Sequence, residues 1–363
     1  MHRHITKLRK LIKDDVRSAL RESKKSSLRT SLREDAAEDL EKWMNTPLKS
    51  LGSDPTKSLS ADAKELVKKG QADGSPDDDK KITGSTSGGG ESIAVTQIKA
   101  SQNEVGMAQS LANVCKGVNG MSFDGIDYGD VDWLVKAMKP GASITFAAPI
   151  LGASTSDGNV VLDGHHRWSQ AFMINPDCKV NVVFLSAGDI SADETLKAVH
   201  LAILAKTGGS KTKSAKGGNL FQAGASDVAG YLDASDRKVD PKTGKPSGDG
   251  VPPYVYAVMK LNDITDPAQG KEAAINRIMN AVKKCAETVV GGAPDRAAMP
   301  QADSETNPVS AADVAAALSS GDVNYVPPFG GGGTSTKKPE NASRLRSGEV
   351  VVERWQKLAG LIK

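Results

Sequence analysis

Aromatic residues make up only 4% of the 363 positions, and apolar residues 38%, while glycine reaches 36. A chain this lean builds one modest core with flexible stretches, not two fully packed domains. No apolar run approaches the ~18–20 residues that span a bilayer, which excludes a transmembrane protein. The opening MHRHITKLRK has no uninterrupted apolar block ahead of a small-residue cleavage site, so no secretory signal is expected. Cysteine is scarce as well. Cys115, Cys178 and Cys285 are odd in number and far apart, so they form no disulfide framework and fit a reducing compartment.

Net charge is almost absent, at +3, yet it is unevenly spread. Residues 1–33 hold eleven Lys and Arg against three Asp and Glu, and residues 331–363 hold seven against three. The middle is left acidic. Any contact with nucleic acid or another polyanion is therefore expected through the basic ends alone. The plain alternative is a pair of solvated helices kept soluble by their charge.

The pattern along the chain suggests five segments. Residues 1–50 form an amphipathic helical arm, with stripes through Ile5, Leu8, Leu11, Ile12, Val16 and Leu20, then Leu28, Leu32, Ala36, Leu40 and Trp43. These stripes need a partner surface: another chain (a protein partner or a second copy), the body of this protein, or a membrane surface. Residues 51–91, rich in Gly, Ser and Asp, read as a flexible linker.

An α+β core follows over 92–190. Strands are expected at 92–99, 144–151, 159–163 and 180–185, with helices at 105–118, 131–138 and 165–174. Residues 191–329 read as mainly helical, either a companion domain or helices packed on the core, with prolines at 252, 253, 267 and 294 as breaks. A Gly-rich linker and a last helix occupy 330–363.

The sharpest feature is the run Val160-Val161-Leu162-Asp163-Gly164-His165-His166-Arg167-Trp168. An apolar strand ends at Asp163, Gly164 permits a tight turn, and a helix begins at once. First-turn N–H groups and the helix dipole suit an anion there. His165, His166 and Arg167 add donors, and an arginine can grip a phosphate with two parallel bonds. The alternative is a hydrogen-bond network that clasps the hairpin to the helix. Gly208-Gly209-Ser210-Lys211-Thr212 is a poor P-loop, because Ser210 replaces the glycine before the lysine, and it reads as a basic loop. His165, His166 and Cys178 lack a fourth ligand at any zinc spacing, so no metal site is assigned. Trp168 and Phe172, one turn apart, read as core.

At Asp163-Gly164-His165-His166-Arg167 the chain resembles the ParB/sulfiredoxin superfamily, whose Gly-x-x-Arg turn between a strand and a helix holds nucleotide phosphates. The motif is most similar to the Asp-Gly-His-Thr-Arg of a related free-serine kinase and to ParB-like proteins of bacteriophages. The resemblance covers about 92–190 and implies a small mixed sheet with helices. It assigns Gln102, Gly164, His165, His166 and Arg167 to phosphate or nucleotide binding, and Glu104, Asp163 and His165 to catalysis. Glu104 takes the place of the kinase's general base; its plain alternative is an acid favoured by a helix N-terminus.

The implied ligand is a nucleoside tri- or diphosphate with Mg²⁺, and the implied location is a host cytoplasm or a virion. Sulfiredoxin needs a cysteine where this chain has His165, which excludes sulfinate reduction. No helix-turn-helix is recognisable in 192–330, which speaks against centromere partitioning. Three readings follow: a nucleotide- or phosphate-binding module with hydrolysis or phosphotransfer, a non-catalytic virion-associated phage protein, and a DNA-binding ParB-like nuclease. The acidic middle places the nuclease last.

Overall fold

The structure is a computed structural model. It describes residues 35–51, 55–68, 83–84, 90–116, 131–146, 149–188, 190–207, 217–298, 313–314 and 316–317. These all belong to one compact unit within 1–328.

Seven short strands form one mixed sheet: β1 Thr83–Gly84, β2 Glu91–Ala94, β3 Lys99–Ala100, β4 Ser143–Ile144, β5 Ile150–Thr155, β6 Gly158–Asp163 and β7 Lys179–Ser186. β7 is central. The antiparallel β1 and β2 pair along one of its edges and the parallel β4 and β5 along the other. Beyond β5 lie β6, antiparallel to it, and then β3, parallel to β6. Nine helices are described around this sheet: α1 at 35–44, α2 Ala61–Lys68, α3 Met107–Lys116, α4 Val131–Ala137, α5 His165–Ile174, α6 Ala192–Thr207, α7 Ala225–Asp233, α8 Pro253–Leu261 and α9 Pro267–Glu287. Among the described residues no helix is long and apolar enough to cross a membrane.

The sheet is buried on both faces. Val161, Ile150, Val180 and Val182 join one core with α3, α4, α5, α8 and α9, whereas Val160, Leu162, Leu151 and Leu185 join another with α1, α2 and α6. Double burial explains the near-continuous apolar runs of β6 and β7. Trp168 and Phe172 pack edge to face, 5.5 Å between centroids, and Trp168 Nε1 donates to Val95 O at 3.3 Å. Of the helices after residue 191, α6 packs on β5 and β6, whereas α7–α9 pack on α3, α4 and α5 on the other side of the sheet.

Several expectations need correction. The strand expected at 92–99 is divided by a 3₁₀ turn, Val95–Gln97, so that β2 serves β7 and β3 serves β6. The strand expected at 144–151 is likewise split. Pro149, which has no N–H to give a ladder, precedes β5, and β5 runs on to Thr155. Pro253 is not a break but the first residue of α8, where a missing N–H costs nothing, and α9 begins at Pro267 after the Asp266 cap. The stretch expected as a linker, 51–91, contains α2, whose Ala63, Leu66 and Val67 are buried against α6, as well as β1. In the N-terminal arm, Ala36, Leu40, Trp43 and Met44 of α1 are buried in the second core. The body of this chain is the partner surface their stripe required. Residues 1–34, 208–216 and 330–363, and with them the first helix, the P-loop-like stretch and the last helix, lie outside the described residues.

Candidate functional site

β6 ends at Asp163, and α5 starts at His165. The joint between them is Gly164, in the left-handed region at φ 98° and ψ 23°, which offers no side-chain cap to the helix. A side chain at Gly164 is disfavoured twice. The backbone conformation penalises a Cβ, and one built there would stand 2.8 Å from Arg167 Nη2. Arg167 folds back over the glycine, and its Nη2 donates to Asp163 Oδ2 at 3.1 Å. Its side chain is 18% exposed, that of Asp163 53%, and Nε is buried without a hydrogen-bond partner.

The histidines turn inward. The Ser101 hydroxyl, in the loop after β3, donates to Val161 O, so it must accept from His165 Nε2 at 3.3 Å. His165 is thereby the Nε2–H tautomer. Burial lowers its pKa well below the ordinary value, and the positive Arg296 and neighbouring His166 lower it further. His166 Nδ1 lies 3.0 Å from Ser110 Oγ on α3, and its Nε2 lies 3.2 Å from Arg296 Nη1. Burial, then Arg296, then Arg167 push its pKa down to about 3. Both rings are neutral at physiological pH. The cations of the turn are therefore its arginines.

Arg296 was not recognised in the sequence, where Pro294 stood only as a break. It comes from the segment after α9, which runs along the outer edge of β3. Ala100 N donates to Thr288 O at 3.2 Å, and Val290 N donates to Ala100 O at 2.9 Å. Further on, Asn103 N donates to Pro294 O at 3.0 Å and Asn103 Nδ2 to Asp295 Oδ1 at 2.5 Å. These bonds bring Arg296 to the turn, 130 residues from His166. Its guanidinium is largely buried, which lowers its pKa, while the nearby carboxylates of Glu104 and Asp163 oppose that shift. No local sequence signal marks it.

The residues singled out from the sequence thus converge to different degrees. Asp163, Gly164, His165, His166 and Arg167 form the turn itself. Glu104, partly exposed, joins them through Arg296 and not through α5. Gln102 is buried in the same loop, but the bonds to the turn run through Ser101 instead. His165 is 6% exposed and engaged with Ser101, a poor placement for a proton-transfer group.

Cys178 packs in the first core with its thiol toward Ala171 O, and burial pushes its pKa up to about 12. Among the described residues no group of three or more His, Cys, Asp or Glu could hold a metal ion. The turn therefore offers two guanidiniums, two neighbouring carboxylates and a helix N-terminus. No family model, curated protein or solved structure matches this chain.

Proposed function

We propose that the chain is a nucleotide- or phosphate-binding module of ParB/sulfiredoxin type, with the turn 163–167 as its phosphate seat. The observation that carries this reading is the approach of Arg296 to a turn that already bears Arg167. Two arginines from distant segments both lie near His166, at the start of a helix whose first-turn N–H groups have no partner within the helix. Burying a guanidinium is costly unless something compensates it. A phosphoryl oxygen would add to the compensation that Glu104 and Asp163 supply.

In this reading Arg167 exchanges part of its bond to Asp163 for the ligand. Should turnover occur, as hydrolysis or phosphotransfer with Mg²⁺ supplied along with the nucleotide, Glu104 is the base, because it is partly exposed. The neutral histidines position neighbouring groups. A host-cytoplasm or virion location and a bacteriophage source belong to the same proposal and rest on the DGHHR resemblance.

One observation favours the non-catalytic alternative. The Arg167–Asp163 pair and the bonds of both histidines satisfy much of the turn from within the protein. Titration calorimetry on the full-length protein with CTP, ATP, ADP, GTP and pyrophosphate, each with and without Mg²⁺, decides between the two. Binding that disappears in a folded Arg167→Ala variant supports the phosphate seat. Silence across the panel, with Arg167→Ala lowering only the melting temperature, makes the turn a structural clasp.

A further inference from the structure

Four hydrogen bonds around α5 form one chain whose direction is set at its ends. Arg296 Nη1 can only donate, so His166 Nε2, 3.2 Å away, must be the bare nitrogen. His166 is neutral, so its Nδ1 carries the proton and donates to Ser110 Oγ at 3.0 Å. Ser110, having accepted, points its own hydrogen at Ser169 Oγ, 2.9 Å away. Ser169 in turn donates to His166 O at 3.1 Å, and a carbonyl oxygen only accepts. Every donor has an acceptor and no two hydrogens face each other. The opposite direction would set a His166 Nε2–H against an Arg296 N–H.

Ser110 and Ser169 are both fully buried, and they belong to two helices, α3 and α5, packed in the same core. The chain therefore runs from rigid packing out to one arginine. The charged groups facing that arginine and the ring are Arg167, Asp163 and Glu104, with the neutral His165 beside them.

We infer that His166 is not a phosphate ligand but a positioning residue that, fixed as its Nδ1–H tautomer by Ser110 and Ser169, aims the Arg296 guanidinium at the phosphate seat. The inference rests on the phosphate-seat reading for its consequence, though not for its geometry. It makes Arg296 the group that touches the ligand and His166 the group that acts through it. It also explains two adjacent histidines with separate tasks: His165 locks the loop at Ser101, and His166 locks the arginine. Ser110, the fourth residue of α3 and unremarkable by itself, becomes part of the site.

Two measurements on the full-length protein test this. The first is nitrogen-detected NMR of the histidine-labelled protein at pH 7. The expected result is a proton on Nδ1 of His166, the rarer tautomer of a free histidine side chain. A Nε2–H tautomer or an imidazolium overturns the inference. The second is a double-mutant cycle in pyrophosphate affinity with His166→Leu and Arg296→Gln. Each single variant is expected to weaken binding about tenfold, and the double variant no further than either. His166→Gln, which restores an acceptor near the place of Nε2, is expected to recover most of the loss. Independent, additive losses mean that His166 contacts the ligand itself and overturn the positioning role. If wild-type protein binds no phosphate compound, the reading of the site falls, while the tautomer measurement still decides the chain. Should His166→Leu fail to fold, Ser110→Ala replaces it: the ring loses its anchor while Arg296 still keeps Nε2 bare, so weaker pyrophosphate binding is expected, and unchanged affinity overturns the positioning role.

Discussion

Arg167 lies folded over Gly164, so closely that a methyl group on the glycine would stand 2.8 Å from the guanidinium Nη2. The two residues form one unit. The glycine's left-handed conformation ends β6 and starts α5, and the space left by its missing side chain is where the arginine rests on its way to Asp163.

Gly164→Ala is therefore expected to cost about 1–2 kcal/mol of stability, chiefly from the left-handed backbone, and to displace the arginine. Gly164→Asn, whose side chain tolerates that region better, should cost less stability yet still displace the guanidinium. Urea denaturation of both variants checks the first statement. Calorimetric titration with pyrophosphate checks the second, and unchanged affinity in both variants would count against Arg167 as a ligand.

Arg167→Ala removes a charge-assisted contact that can be bidentate. Phosphate affinity should fall by roughly 1.5–3 kcal/mol, or one to two decades. Arg167→Lys should restore only part of it, since an ammonium is a point charge without the planar fork. Asp163→Asn separates the ligand role from the internal pair. Releasing the arginine from its carboxylate should tighten phosphate binding, and weaker binding would assign Asp163 a direct part.

Stability should depend on pH through the buried histidines. His166 and His200 sit at about 3 in the folded protein, both chiefly because burial disfavours the charged ring, and His165 is displaced in the same direction. In the unfolded chain each titrates near 6.5. Below that value the unfolded state binds more protons, so the contribution is complete above about pH 6.5 and is lost as pH falls toward 3. The expected slope is about 1.4 kcal/mol per pH unit for His166 and the same for His200 between roughly pH 6 and 4, with His165 adding in the same direction. Chemical denaturation from pH 4.5 to 8 reads it, and His200→Gln should remove one proton's worth of slope. Phosphate affinity, by contrast, should show no histidine titration between pH 6 and 8.

On the other face of the sheet, Lys197 of α6 is almost wholly buried, donates to Met44 O at the last turn of α1 and pairs with Asp193 at 3.1 Å. It caps the carbonyl end of α1, where a cation is favoured. Lys197→Met is expected to cost about 1–3 kcal/mol, because it leaves a buried carbonyl without its donor. The loss should appear first in residues 35–44, as faster amide hydrogen exchange there than in β5–β7. Equal acceleration in both would show that α1 and the sheet unfold as one unit.

Local chemistry in the sequence determined the limits of α5, 165–174, and the courses of β6 and β7. A glycine after an apolar run opens the helix, and Asn175 closes it: its side chain accepts from Asp177 N and its amide donates to Ala137 O. The turn residues 163–167 were legible for the same reason, since each signal lies within a few positions of the next. Where strands 92–99 and 144–151 divide was decided by their partners, because β2 and β3, or β4 and β5, pair with different neighbours or different parts of one. The neutrality of His165 and His166 was likewise a tertiary outcome. A motif shows two donors at a helix start, but the direction each ring turns depends on Ser101, Ser110 and the packing around them. Arg296 is the extreme case. Its place beside His166 comes from the packing of α9 on α5 and from the ladder that Thr288 and Val290 make with Ala100. No interaction between near neighbours in the chain encodes that meeting, because it forms only when the edge of the sheet exists to receive it.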